Sequence, residues 1–113
     1  MTIIDLLARH CTHDAPALDA AAIRSLAALL PDWTIGADRL QRSFAFRDYH
    51  ETIEFVNALA FMVHREDHHP DLHIGYNRCA ASWTTHSAGN RLSENDFICA
   101  ARADAIYAGR AGA

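Results

Sequence analysis

The feature that most constrains the fold is a long helical pattern in the middle of the chain, bounded by Asp48 and Pro70. Asp48 with Glu51 three residues later forms a capping-box pattern, which is typical of a helix start. Apolar residues then recur at helical spacing and share one predicted face: Ile53, Val56, Ala60 and Val63, with Tyr49 and Leu59 beside them. Pro70 disfavours helical geometry at the residue before it. We therefore predict that the helix ends before the histidine pair that precedes this proline.

Two strand pairs are predicted, one on each side of this helix. Residues 32–36 and 40–46 alternate in polarity on either side of a turn, which predicts an antiparallel hairpin. A second pair of strands is predicted within residues 71–86, separated by a turn that contains Gly75.

Two further helices complete the pattern. Residues 19–30 carry apolar side chains at helical spacing, with Asp19 as a capping residue and Pro31 just beyond the end. The last helix is predicted to start at Ser93, with Asp96 as its capping partner. The order α-β-β-α-β-β-α predicts an α+β fold, in which three helices cover one face of a four-stranded antiparallel sheet.

The predicted domain organisation is simple. Residues 1–17 are expected to form a partly ordered N-terminal leader, and residues 18–113 a single domain of ordinary size. No apolar run approaches the ~20 residues that a membrane-spanning helix needs, and the first residues lack the pattern of a secretory signal. The three cysteines form no CxxC pair, which favours reduced thiols. These features predict a cytoplasmic protein without a membrane partner.

The charge distribution disfavours direct nucleic-acid binding. The formal net charge is -4 with histidines neutral, and the ten basic residues are all arginines scattered singly along the chain. Proteins that bind nucleic acid through its phosphates normally present a basic patch.

Histidines are concentrated in "HREDHHPDLHIGYN", residues 64–77, and such a cluster is typical of either a metal site or a proton-transfer site. A metal site needs three or four ligands, but the HExxH pattern is absent and Pro70 interrupts the helix where the spacing would continue. Proton transfer needs groups that titrate near neutral pH, which histidine supplies. His68 and His69 after the helix, and His86 after a strand, would then present imidazoles to one cleft from two different elements.

The remaining histidines are expected to have no catalytic role. His10, His13, His50 and His73 are interpreted as solvated or hydrogen-bonded surface residues, because that is the usual state of an isolated histidine. By the same reasoning, Thr84 and Thr85 are most simply part of a strand, and Asp96 is most simply a helix cap.

Taken together, these residues resemble the pterin-4a-carbinolamine dehydratase family. The resemblance rests on a series of unevenly spaced positions: His64, His68-His69-Pro70, Tyr76, His86 and Asp96. The stretches "LLPDWTI" and "RSFAFRDYHETIEFVNALAFMV" are similar to other parts of the family.

The resemblance implies an activity. Members dehydrate 4a-hydroxytetrahydropterin to quinonoid dihydropterin in tetrahydropterin recycling, without a metal or bound cofactor, and they form homodimers or homotetramers. It implies three catalytic histidines, His68, His69 and His86. It also implies a pterin site bordered by the same three histidines and by Pro70, Thr85, Ser87 and Ala88. His64, Asp67 and Asp96 would have supporting roles.

Two departures from the family and one alternative function accompany this interpretation. Leu72 stands where the family commonly has tryptophan, and the loop "SAGNRL" is one residue longer than usual.

The alternative function is that of a protein-binding or assembly module, because relatives serve as a dimerisation cofactor or as a folding helper. Retention of His68, His69 and His86 favours the enzyme.

Overall fold

The computed structural model describes residues 1–110 and contains one four-stranded sheet and four α-helices. Along the chain these are α1 (Ile3–Leu7), α2 (Ala20–Ala27), β1 (Thr34–Gly36), β2 (Arg39–Ala45), α3 (Tyr49–Glu66), β3 (Asp71–Ile74), β4 (Arg78–Trp83), a 3-10 helix (His86–Ala88) and α4 (Glu94–Ala108). The predicted α+β class and order of elements are confirmed, with α1 as an additional short helix.

The sheet is antiparallel throughout, with strand order β1-β2-β4-β3. The two central strands bring Leu40 opposite Trp83 and Phe44 opposite Cys79. These four side chains are fully buried or nearly so, whereas alternate residues of β2 such as Gln41 are exposed. Because side chains alternate across a strand, this pattern gives the sheet one covered face and one open face.

Helix α3 begins at Asp48, whose side chain accepts a hydrogen bond from the Glu51 N–H. The predicted capping box is only half formed, because the Glu51 carboxylate accepts from the Arg47 N–H instead of that of Asp48. The helix ends at Asp67, which adopts a left-handed conformation with φ of 52°. The chain therefore leaves the helix before the histidine pair, as predicted.

The buried face of α3 agrees with the prediction only in part, because Leu59 and Val63 are buried as expected but the rest of the face differs. Thr52, Phe55, Leu59 and Met62 are buried, whereas Tyr49 and Ala60 are exposed and Ile53 and Val56 are only half-buried. The Phe55 ring packs 4.8 Å from that of Phe44 on the sheet. The Thr52 hydroxyl is satisfied by the carbonyl groups of Asp48 and Tyr76. Burying the large Phe55 ring stabilises the fold more than burying the smaller side chains of Val56 and Ala60 would, and Thr52 is buried without cost because its hydroxyl is hydrogen-bonded.

Helix α4 passes through the centre of the molecule. Ser93 and Asp96 form the predicted capping box at its start. Its first two turns are buried almost all round, including Phe97, Ile98 and Cys99. The small side chains of this helix allow close packing against the sheet, α1 and α3.

Residues 1–17 pack onto α4. Leu6 of α1 is fully buried and belongs to the main core. The Leu18 N–H donates to the Leu92 carbonyl at 2.9 Å, which joins the end of this segment to the start of α4. The domain start at residue 18 stays a prediction. Within residues 1–110, none of the helices combines the length and the apolar character needed to cross a membrane.

Candidate active site

A cleft of about 560 Å³ lies where three segments of the chain meet. These are residues 65–71, from the end of α3 to the start of β3, residues 84–87 after β4, and residues 11–14 of the N-terminal segment, with Asn95 of α4 also in the lining. The volume is within the range of small-molecule sites. Loops that leave the ends of packed elements form its walls, so the scaffold holds them in place.

His68 is held at its ring by a buried carboxylate. Its Nε2 lies 2.6 Å from Asp96 Oδ1, and Asp96 is fully buried. The other oxygen of Asp96 accepts hydrogen bonds from the Thr85 hydroxyl at 2.8 Å and the Ser93 N–H at 2.9 Å. With both carboxylate oxygens engaged, the orientation of the His68 ring is fixed, and Nδ1 is the nitrogen left to exchange a proton with a ligand.

The backbone of His68 is held as well. The left-handed conformation of Asp67 turns the chain out of α3, and the Trp83 indole N–H donates to the His68 carbonyl at 3.3 Å. Trp83, the last residue of β4, is itself fully buried. The position of His68 is therefore set by α3, β4 and α4 together.

His69 and His86 are less constrained than His68. Both line the cleft and both are exposed. Within residues 1–110, neither ring makes a hydrogen bond to another protein group. His86 opens the 3-10 helix that follows Thr85, and that helix ends at Gly89 in the left-handed region with φ of 75°. The ring nitrogens of these two histidines are free to contact a bound molecule.

Most of the residues proposed from the sequence meet at this cleft, and a few do not. His68, His69, Pro70, Thr85, His86, Ser87 and Asp67 line it. Asp96 lies behind His68. His64 is exposed on the last turn of α3 and is not part of the lining, and Ala88 is half-buried in the 3-10 helix away from the cleft. The roles of these residues stay predictions.

The sequence did not predict that Glu66, Asn95 and the N-terminal residues 11–14 line this cleft. Glu66 is buried at the end of α3, and its carboxylate accepts from the Cys11 N–H at 2.8 Å. Burial opposes ionisation of Glu66. However, the Cys11 N–H, the His10 ring and the Arg102 guanidinium together lower the pKa of this carboxyl below its ordinary value. Glu66 continues the buried stripe of α3, but a glutamate at a helix end gives no sign in the sequence that it is buried.

Two of the cysteines are protonated thiols at neutral pH. The contact between the Cys11 and Cys99 thiols, followed by burial, strongly raises the pKa of Cys99, because the Cys99 S–H donates in its protonated form, and burial raises the pKa of Cys79. Neither is suited to act as a nucleophile, because the thiolate is the reactive form. In residues 1–110, no cluster of three or more histidine, cysteine or acidic side chains has the arrangement of a metal site.

Comparison with known proteins identifies relatives over nearly the whole chain. Residues 16–106 match the sequence model of the family described as pterin 4 alpha carbinolamine dehydratase. A Nitrosospira multiformis protein is 43% identical over 109 residues, which is 94% of this chain and 96% of the relative. A Chromobacterium violaceum protein is 43% identical over 106 residues, or 92% and 97% of the two chains. Both relatives are provisionally named pterin-4-alpha-carbinolamine dehydratase.

Solved structures with the same fold include proteins of two kinds. A Brucella melitensis protein described as a transcriptional coactivator/pterin dehydratase has a TM-score of 0.75 at 28% identity, covering 80% of this chain and 97% of its own. A pterin dehydratase-like protein described as a RuBisCO assembly factor in the alpha-carboxysome has a TM-score of 0.60 at 27% identity. It covers 70% of this chain and 93% of its own.

Proposed function

Because the chain belongs to the pterin 4 alpha carbinolamine dehydratase family, we propose that it dehydrates a 4a-hydroxytetrahydropterin to the quinonoid dihydropterin. The observation that carries this proposal is the convergence of His68, His69 and His86 on one cleft, with the His68 ring oriented by a buried carboxylate. All three histidines that the family resemblance implies as catalytic are therefore available to one ligand.

The chemistry requires two proton transfers. A neutral imidazole removes the proton from N5 of the substrate, and an imidazolium protonates the 4a-hydroxyl, which leaves as water while the C4a–N5 double bond forms. Each transfer contributes roughly 10²–10⁴-fold to the rate. The reaction changes no oxidation state, so it needs no redox cofactor, and the proposal assigns both proton transfers to histidines rather than to a metal. His68 supplies one exchangeable nitrogen, and the exposed rings of His69 and His86 supply the others.

The activity is tested by following the decay of a freshly generated 4a-hydroxytetrahydropterin with and without the protein. We expect faster decay with the protein, and loss of most of this gain in His68→Ala and His86→Ala. The matched control is His73→Ala, an exposed histidine on β3 outside the cleft, which should keep full activity. Equal decay with and without the unaltered protein would reject the proposal.

The proposal also includes the assembly and location of the protein. Family resemblance favours a homodimer or homotetramer, and the exposed Phe61 on α3, at 76% of its full accessibility, is a suitable contact. All three cysteines are free thiols, which suits the reducing cytoplasm. We further propose that residues 18–113 act as one domain.

The alternative is a protein-binding or assembly role on the same fold. It is favoured by the descriptions of the two solved structures, one a transcriptional coactivator/pterin dehydratase and one a RuBisCO assembly factor. Co-purification of a stoichiometric protein partner, combined with no effect on carbinolamine decay, would favour this role over the enzyme.

A further inference from the structure

We propose that residues 11–14 form the third wall of the substrate cleft, and that Asn95 is the positioning residue that holds this wall in contact with the pterin. The inference rests on the proposed function, since it takes the pterin as the ligand. The wall lies before residues 16–106, which match the family model, and its contacts with α3 and α4 support its role.

Asn95 binds one residue of the wall at two points. Its side-chain Oδ1 accepts from the Thr12 N–H at 3.0 Å, and its Nδ2 donates to the Thr12 carbonyl at 2.9 Å. Asn95 is buried and is part of the lining of the cleft. A surface segment without regular structure is otherwise free to move, so this paired contact fixes the distance between the wall and α4.

Glu66 provides a second anchor. Only 2% of its side chain is accessible, and one carboxylate oxygen accepts from the Cys11 N–H at 2.8 Å. The other lies 2.9 Å from His10 Nδ1. The Arg102 Nε is 3.8 Å from the same oxygen. Charge-assisted hydrogen bonds of this kind are stronger than neutral ones, so Glu66 holds the beginning of the wall to α3 while Asn95 holds its middle to α4.

The anchors of the wall are neighbours of the groups that hold His68. Asn95 precedes Asp96 on the first turn of α4, and Glu66 is two residues before His68 at the end of α3. The same two helix ends thus fix the histidine ring and the wall opposite it. A ligand that reaches His68 lies between surfaces whose relative position is set by α3 and α4.

The exposed part of the wall suits a polar heterocycle. The side chains of His13 and Asp14 line the cleft, are 94% and 78% accessible, and contact each other only at 3.7 Å. Asp14 has a left-handed backbone with φ of 57°, a conformation that aspartate tolerates better than most residues. A pterin ring presents N–H and amino donors, and the Asp14 carboxylate is an acceptor at the mouth of the cleft.

The kinetic test compares Asn95→Ala with the unaltered protein in the dehydratase assay. Loss of the two hydrogen bonds to Thr12 should raise KM by about tenfold while kcat changes less than about twofold. The reason is that binding energy is lost equally from the ground state and the transition state. Asn57→Ala, on the exposed surface of α3, is the matched control and should change neither constant. An unchanged KM, or a loss confined to kcat, would overturn the inference.

A second measurement uses the unaltered protein and needs no variant. Cys11 lines the cleft and is half-buried, whereas Cys79 and Cys99 are fully buried, so alkylation of the folded protein reports on Cys11. We expect 7,8-dihydropterin to slow this alkylation severalfold. Dehydratase activity without such protection would reject the wall and leave the proposed function standing. Protection without dehydratase activity would reject the function and leave the wall as part of a pterin site.

Discussion

His68 Nε2 and Asp96 Oδ1 lie 2.6 Å apart, which joins the loop after α3 to the first turn of α4 at the base of the cleft. Asp96 has two roles at once, because the same carboxylate closes the capping box of α4 with the Ser93 N–H. The residue that orients the proposed catalytic ring is thus built into the start of a core helix, where it cannot shift without disturbing that helix.

Asp96→Asn should lower kcat by roughly 10²–10⁴-fold, because an amide in place of the carboxylate permits the wrong tautomer of His68. Steady-state kinetics measure this loss. Ser93→Ala is the matched control, since it weakens the same helix cap at a cost of about 1 kcal/mol but leaves the His68–Asp96 contact in place. Equal losses of kcat in both variants would show that helix stability, and not orientation of His68, is responsible.

Thr85→Val should lower the free energy of unfolding by about 1–3 kcal/mol, because a buried acceptor loses its donor. The Thr85 hydroxyl donates to Asp96 at 2.8 Å and lies 2.7 Å from the Ser93 hydroxyl, in a fully buried group. Urea denaturation measures the change. In Thr34→Val, an exposed threonine on β1, stability should stay within about 0.5 kcal/mol of the unaltered value. An equally small change in Thr85→Val would contradict a stabilising role for the Thr85–Asp96 hydrogen bond.

Stability should depend on the ionisation of Glu66. Because the pKa of Glu66 is lowered in the folded protein, its stabilising contribution is present above the ordinary value of 4.5 and is lost as pH falls through the folded value. The difference in unfolding free energy between the unaltered protein and Glu66→Gln should therefore be largest near pH 7 and shrink below pH 4.5. Denaturant unfolding over this pH range measures it.

The control for this pH dependence is Glu54→Gln on the exposed surface of α3, where 63% of the side chain is accessible. Its difference from the unaltered protein should be small at every pH. If the effect of Glu66→Gln were constant from neutral to acid pH, the Glu66 carboxylate would not be acting through its charge.

Phe61→Glu should reduce the size of the proposed assembly, because it places a charge in an apolar contact between copies of the chain. Size-exclusion chromatography with light scattering measures the mass. Ile4→Glu on α1 is the matched control, since Ile4 has a similar accessibility of 74% compared with 76% for Phe61. A monomeric mass for the unaltered protein at micromolar concentration would rule out the proposed homo-oligomer.

Prediction from the sequence succeeded where the governing interactions are local. The capping residues Asp48 and Ser93 mark the starts of α3 and α4, and α3 ends before the histidine pair that precedes Pro70. It was right only in part about the buried face of α3, because Leu59 and Val63 are buried as expected, whereas Phe55 and Thr52 are buried in place of Val56 and Ala60. That face depends on which rings of the sheet lie opposite, and helical spacing alone does not contain this information.

The sequence by itself determined the order of elements, the α+β class and the positions of the histidines in the loops that follow α3 and β4. Capping, turn formation and alternation act over a few residues, so they can be recognised in the chain. Only the tertiary structure decided that Asp96 supports His68 across 28 residues and that Asn95 holds Thr12 across 83. Such contacts depend on how α3 and α4 pack in the core, because distant residues meet only after the elements that carry them have assembled.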